Sequence, residues 1–347
     1  NISTGQKKKD KLGFALVGLG NYAGGQLATA LQETSNCYLA GIVTGTPEKE
    51  VIWAEKYDIP DKNIYNYDNF DEIADNEDID VVYVVLPNSM HAEYTIRALQ
   101  AGKHVTCEKP MATSYADCVR MVDAAKKAGR KLSIGYRLHY EPHHLEMMRI
   151  GQKNIYGELT EIRARFGFPL RDKNRWRLSK EMSGGGPLMD VGIYCLQAAI
   201  YTSGELPLSL TAENLTMDKD FYREIEGTLG FQFNFPSGLS NYMETSYEKS
   251  YDHLDLTTDS HQIGMHPTYG YRGLKSEING EPMNLPNINQ QAAQMDAFSR
   301  NIMENTRCLV PGEMGARDMY IIDRIYEAMD SGREVSLKGI PQVQHLL

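Results

Sequence analysis

The chain has 347 residues, more than one hydrophobic core usually covers, so two domains are expected. Its 46 acidic against 36 basic side chains give a formal charge of −10, which opposes binding to nucleic acid or to an anionic membrane surface. No run of about eighteen apolar residues is present to span a bilayer, and five scattered cysteines form neither a metal-binding spacing nor an evident disulfide framework.

The basic run Lys7-Lys8-Lys9-Asp10-Lys11 reads as a solvated lead-in to the first strand. As it stands the chain reads as cytoplasmic; a leader removed before Asn1 would place it in the periplasm instead. An apolar strand over 12–17 then runs into Gly18-Leu19-Gly20-Asn21-Tyr22-Ala23, which opens a helix. In such a strand-turn-helix unit the first two glycines permit a tight turn and let the backbone approach a pyrophosphate, whose charge sits on the helix N-terminus. Gly18, Gly20, Asn21, Tyr22 and Ala23 are therefore candidate dinucleotide-binding residues.

A second strand over 37–43 is followed by Thr44-Gly45-Thr46-Pro47-Glu48-Lys49, where NAD-binding chains usually carry an acidic group for the ribose 2′-OH. A hydroxyl at Thr44, a glycine backbone at Gly45 and the nearby Lys49 suit a 2′-phosphate instead, so NADP is expected over NAD. The alternative is that Thr44 merely ends the strand and Lys49 is a solvated helix residue. Next come a helix over 48–57, a short strand near 63–65, a helix near 70–75 and a strand over 80–86 that is nearly all apolar and so central.

The carboxyl end of that strand carries Leu86, Pro87, Asn88, Ser89 and His91, with Ser89 the expected cap of a helix through 99. A strand over 103–106 leads into Glu108-Lys109-Pro110, Ser114 starts another helix, and 131–136 make the sixth strand. Cys37 and Cys107, within strands, are expected to be buried thiols. Alternating strands and helices imply a parallel sheet with ligands beyond its carboxyl ends, so the glycine loop, Thr44, residues 87–91 and 108–110 should line one crevice.

The pattern changes after about Arg137. A helix over 139–151 precedes strands over 158–168, 209–216, 225–235, 239–246 and 253–256, with further helices over 192–202, 290–304 and 315–331. This half is expected to be a mostly antiparallel sheet flanked by helices. The division expected is a dinucleotide-binding domain over 11–137 and an α+β substrate and oligomerisation domain over 138–347. His143-His144, after Pro142, read as a solvated helix start rather than a metal site, for which no convergent partners are evident.

Ordered motifs carry a resemblance: Val17-Gly18-Leu19-Gly20, Leu86-Pro87-Asn88-Ser89, Cys107-Glu108-Lys109-Pro110, Ile134-Gly135-Tyr136-Arg137, Trp176-Arg177-Leu178, and Gly184-Gly185-Gly186 leading to Asp190-Val191-Gly192-Ile193-Tyr194. With these the chain resembles the Gfo/Idh/MocA oxidoreductases, and within them the glucose–fructose oxidoreductases most closely, over nearly its whole length. The resemblance implies a Rossmann domain, a C-terminal α+β domain whose open sheet makes a homodimer or homotetramer, and hydride transfer between a sugar or polyol and a nicotinamide. It also implies a tight, cis Lys109-Pro110 turn at the cofactor. Glucose–fructose oxidoreductases retain NADP with an N-terminal arm, whereas only Asn1 to Lys11 precede the first strand here.

The chemistry requires a group that takes the hydroxyl proton as hydride leaves, and returns it in the reverse direction. Tyr194 is the candidate. A phenol titrating near 10 is a poor base at neutral pH unless a cation stabilises its phenolate, and Lys109 is the expected cation. Asp190, four residues before Tyr194, falls on the same helix face and could hold a sugar hydroxyl; the alternative for it is a helix N-cap. Trp176 and Arg177 resemble residues beside the cofactor, Arg137 is a candidate cofactor-binding residue as well, and Arg137 and His139 are expected to border the sugar pocket. Two alternatives remain: an inositol, anhydro-sugar or aldose dehydrogenase that exchanges its cofactor, and a cofactor-bound sensor without catalysis.

Overall fold

A computed structural model describes residues 9–347. Its first strand, β1 (Leu12–Val17), has every residue buried. With β2 (Cys37–Val43), β3 (Ile64–Tyr65), β4 (Val81–Val84), β5 (His104–Cys107) and β6 (Leu132–Ile134) it forms a parallel sheet in the order β3-β2-β1-β4-β5-β6. Strands covered on both faces cannot alternate, which is why β1 and β4 read as unbroken apolar runs. The strand order reverses between β1 and β4, and that switch point opens a crevice at their carboxyl ends.

A π-helical turn (Ala23–Leu27) running into α1 (Ala28–Ala30), then α2 (Pro47–Tyr57), α3 (His91–Gln100) and α4 (Tyr115–Ala128), connect these strands. Ser114 caps α4 by accepting from the Asp117 N–H. The expected Ser89 cap does not form: Ser89 lies in a 3₁₀ turn (Asn88–Met90), where the Pro87 carbonyl already takes the Met90 N–H, and α3 starts at His91 without a side-chain cap. Of the basic lead-in, Lys7 and Lys8 lie outside the described residues. Lys9 is not merely solvated, because its ammonium meets Asp80 at 2.9 Å.

The second half holds α5 (Pro142–Gln152), β7 (Leu159–Gly167), α6 (Lys180–Ser183), α7 (Ile193–Ser203), β8 (Ser209–Asn214), β9 (Thr228–Asn234), β10 (Ser240–Ser246), β11 (Tyr251–Thr258), β12 (Gln262–Met265), β13 (Ser276–Ile278), β14 (Glu281–Pro282), α8 (Gln290–Met303), α9 (Gly312–Ser331) and β15 (Val335–Ser336). Its nine strands form one sheet in the order β14-β13-β12-β11-β7-β10-β9-β8-β15, antiparallel except where β7 meets β10. α7, buried from Ile193 to Thr202, packs on β7 and β10. By contrast α8 returns to the first half, where Met295 and Phe298 pack with Phe14 and Leu16 on one face of the parallel sheet. All five cysteines are free and buried. No helix among the described residues is long and apolar enough to cross a membrane.

The helix expected from 139 begins instead at Pro142, because Arg137–Tyr140 form a 3₁₀ turn. His143 and His144 are buried, not solvated. Glu141 caps α5 by accepting from the His144 N–H, which sets the first turn against the sheet: His143 Nδ1 lies 2.6 Å from Ser276 Oγ, and His144 bonds the Tyr201 hydroxyl and, at 2.7 Å, the Thr268 carbonyl. Burial holds His144 down at about 3 and His104 at about 4, and lowers His139, His143 and His345 as well.

Histidines freed by unfolding titrate near about 6.5, so between there and about 4 the unfolded chain binds protons that the folded chain refuses. Their contribution to stability is present above that range and is lost as the pH falls through it. The urea midpoint should accordingly drop steadily from pH about 7 to about 5; a midpoint that stays level over that interval contradicts this reading of the buried imidazoles.

Candidate active site

Strand ends of the parallel sheet and four segments of the second half enclose one cavity of about 850 Å³. Gly18 to Tyr22 follow β1, Thr44 to Thr46 and Lys49 follow β2, Val85 to Asn88 and His91 follow β4, Glu108 and Lys109 follow β5, and Arg137 follows β6. The opposite wall carries Phe166, Phe168 and Leu170, then Arg175 to Arg177, then Asp190, Val191 and Tyr194, and finally Tyr269 to Tyr271. Every expected cofactor or catalytic residue thus reaches this cavity except Ala23, which is fully buried in the π turn and packs beneath the glycine loop.

Gly18 sits at φ +92°, where a Cβ would lie 2.4 Å from the Val85 carbonyl oxygen, while at Gly20 a Cβ would meet nothing within 4 Å. The loop therefore turns tightly against β4 at Gly18 and leaves open space at Gly20. Thr44 is buried, its hydroxyl accepting from the Thr46 N–H, and Lys49 donates to the Leu19 carbonyl at 2.9 Å. Among the described residues, the only carboxylates lining the cavity are Glu108 and Asp190.

Glu108 is fixed by the Tyr83 hydroxyl at 2.7 Å and the Lys109 N–H at 3.1 Å, and burial raises its pKa. His91 lies between two carbonyls, with Nδ1 2.8 Å from Pro110 and Nε2 2.8 Å from Leu86; burial lowers its pKa against the pull of those two bonds. It ties the end of β4 to the turn after β5. The Lys109-Pro110 peptide in that turn is cis.

From that turn the Lys109 ammonium donates to the Asp190 carbonyl at 2.5 Å and stands 3.7 Å from Asp190 Oδ1. Asp190 does not cap a helix. It lies inside a π-helical turn (Leu188–Gly192) ahead of α7, and its Oδ2 accepts from Arg177 at 3.1 Å and from the Tyr247 hydroxyl at 2.9 Å. Burial alone would raise the Asp190 pKa, but the charges of Arg177 and Lys109 and the Tyr247 bond outweigh it and hold the carboxyl below its usual range.

Tyr194 presents its hydroxyl to Arg137, not to Lys109. The Arg137 guanidinium, only 2% exposed, donates to Tyr194 Oη at 3.1 Å, to the Tyr269 carbonyl at 2.6 Å, to the Gly270 carbonyl at 3.1 Å and to the Gln290 side chain. Lys109 lies instead over the Tyr194 ring, 4.8 Å from its centre. Among the described residues the Tyr194 hydroxyl donates to no protein acceptor. His139 does not border the cavity: it is buried, with Nδ1 3.0 Å from His345 Nδ1.

Sequence reasoning missed Tyr247, Tyr269 and Tyr271, which no local pattern distinguishes among 21 tyrosines, and Arg175, which adjoins the Trp176-Arg177 motif. It also placed Arg137 among cofactor ligands without its bond to Tyr194.

Residues 12–136 match the model of an oxidoreductase family with an NAD-binding Rossmann fold, and residues 144–264 match a GFO/IDH/MocA C-terminal domain. The chain is similar to the crystal structure of an aldose-aldose oxidoreductase from Caulobacter crescentus complexed with glycerol, at TM-score 0.91 and 39% identity, covering 94% of this chain and all of that one. A D-xylose 1-dehydrogenase [NADP(+)] from Haloarcula marismortui is 25% identical over 334 residues, 93% of this chain and 92% of that protein. A D-glucoside 3-dehydrogenase from Escherichia coli is 29% identical over 289 residues, 74% of this chain and 79% of that protein.

The geometry of the glycine loop is open to direct test. Gly18→Ala must place a Cβ against the Val85 carbonyl at a φ that L side chains rarely adopt. The expected loss of stability is about 1–3 kcal/mol in urea denaturation. An alanine variant as stable as the parent contradicts the turn described.

Proposed function

This chain belongs to the Gfo/Idh/MocA oxidoreductase family, and we propose that it is an NADP-dependent oxidoreductase of sugars or polyols. The observation that carries the reading is the convergence of Lys109, Asp190, Tyr194 and Arg137 in one cavity that the glycine loop also lines. The relatives named above act, by their names, on aldoses, D-xylose and D-glucosides.

The residues present suit the cofactor. The N–H groups at Gly20 and Asn21, with the open space over Gly20, would receive the pyrophosphate. Thr44, Gly45 and Lys49 would take the ribose 2′-phosphate, since no carboxylate lines that end of the cavity and Lys49 uses one of its three donors on Leu19. Leu86, Pro87, Asn88, Glu108, Trp176 and Arg177 would border the remaining length. When bound, NADP supplies a ring that takes or gives a hydride.

The chain's own work is the proton and the substrate. In oxidation the Tyr194 oxygen takes the proton of the substrate hydroxyl, and in reduction it returns it. Negative charge on that oxygen meets the Arg137 guanidinium at 3.1 Å, in a site where water is largely excluded. Lys109 adds a second positive charge at the ring and holds the Asp190 backbone. Asp190 Oδ1, not claimed by Tyr247 or Arg177, accepts from a neighbouring sugar hydroxyl and so orients the reacting carbon. Assembly as a homodimer or homotetramer through the nine-stranded sheet belongs to the same reading, and light scattering tests it.

Cofactor choice is tested at Thr44. NADP should bind more tightly than NAD, and Thr44→Asp should erase or reverse the preference; equal affinities in the unaltered protein contradict it. The proton step is tested by single-turnover reduction of bound NADP with the best substrate from a panel of aldoses, ketoses and polyols. Tyr194→Phe should leave NADP affinity nearly unchanged and lower the rate by about 10²–10⁴, and Lys109→Met should be comparably severe. The two losses should not add in the double variant. Asp190→Ala should raise KM as well as slow turnover. Near-normal hydride transfer in Tyr194→Phe would remove Tyr194 from the mechanism.

A further inference from the structure

Three histidines, 253, 261 and 266, lie near one end of the nine-stranded sheet, and two of them converge on a carboxylate. His253 and Asp255 alternate along β11 with the buried Leu254 and Leu256, so both project from the face turned away from the core. Asp255 pairs across the sheet with Gly264 of β12, and His266 stands two residues beyond that glycine. His253 Nδ1 lies 2.8 Å from Asp255 Oδ2, His266 Nε2 lies 2.9 Å from Oδ1, and the two imidazoles stack at 5.2 Å between centres. One ligating atom from each of the three residues falls within 4.8 Å of the others.

Gly264 keeps this cradle open. A Cβ there would stand 3.3 Å from Asp255 Oδ1 and 3.5 Å from His266 Nε2, against two of the three groups. Neighbouring charges are committed elsewhere. Arg163, opposite Asp255 on β7, pairs with Glu161 at 3.0 Å, and Arg165, opposite His253, lies over the Tyr242 and Tyr251 rings.

We propose that His253, Asp255 and His266 bind a divalent transition ion of the zinc type, at a site separate from the cavity. Two imidazole nitrogens and one carboxylate oxygen are the donors zinc and cobalt take, whereas calcium and magnesium prefer oxygen alone. Three protein ligands leave a position for water, and side-chain exposures of 20%, 35% and 53% leave the site open to solvent. The ion would clamp β12 to β11 just before Thr268 to Tyr271, the segment whose Tyr269 and Gly270 carbonyls hold Arg137. The site therefore bears on the rigidity of the cavity wall and not on the proton step.

The test uses the full chain, free of affinity tag and stripped with a chelator. Zinc titrated in a calorimeter should bind saturably, one ion per chain, at micromolar concentration, and cobalt should give the visible absorption of a four- or five-coordinate ion. His266→Ala and Asp255→Asn should each weaken zinc binding by at least about tenfold, and Gly264→Val, which fills the cradle, should do the same. Zinc should raise the thermal midpoint of the unaltered chain and of the His261→Ala control, but not of the ligand variants. Absence of saturable uptake, or equal uptake in His266→Ala and Asp255→Asn, overturns the proposal.

Discussion

A guanidinium sealed from water must find an acceptor for nearly every proton it carries, and Arg137 finds them on three separate stretches of chain. It leaves the turn after β6, bonds the hydroxyl of Tyr194 on α7, the side chain of Gln290 on α8 and two carbonyls between β12 and β13. Breaking any one of these would leave a charge buried with too few partners, which costs several kcal/mol, so the three stretches and the turn after β6 are held in one arrangement. All the bonded partners are neutral. The Tyr194 oxygen is therefore where negative charge can best gather beside this cation.

The other charges of the cavity are balanced against one another. Asp190 meets Arg177 and Lys109, and Tyr247 gives it a further hydrogen bond, so its charge is balanced while Oδ1 makes no bond to Tyr247 or Arg177. In the π turn the Asp190 carbonyl faces Lys109 while its carboxylate reaches Arg177. The two cations divide by geometry: Arg137 bonds the phenol oxygen, and Lys109 stands between the phenol ring and the carboxylate.

The two halves of the chain are not independent supports. One face of the parallel sheet is completed by Met295 and Phe298 from α8, and β6 is extended by the Val310 carbonyl, which accepts from the Ile134 N–H. The cavity floor thus depends on residues from near the end of the chain. Gln294 of α8 also donates to Tyr83, which holds Glu108 beside the Lys109 turn. Through these buried hydrogen bonds α8 is linked to Glu108 and the Lys109 turn in a low-dielectric interior.

What the sequence by itself determined was everything written in local order. The parallel sheet, the glycine loop, Thr44 in place of a carboxylate, the Glu108-Lys109-Pro110 turn and the Asp190 to Tyr194 spacing are each legible because their signals lie within about ten residues, the reach of periodicity and turn chemistry. Tertiary structure alone decided the rest. It turned His139, His143 and His144 inward, denied Ser89 its cap, gave Tyr194 to Arg137 and brought Tyr269 and Tyr271 to the cavity wall. It also set His266 beside His253 and Asp255. Ser89 apart, the partner lies on a separate stretch of chain, often more than fifty residues away, and which groups meet there is fixed by how buried charges and hydrogen bonds are satisfied across elements, which no local pattern encodes.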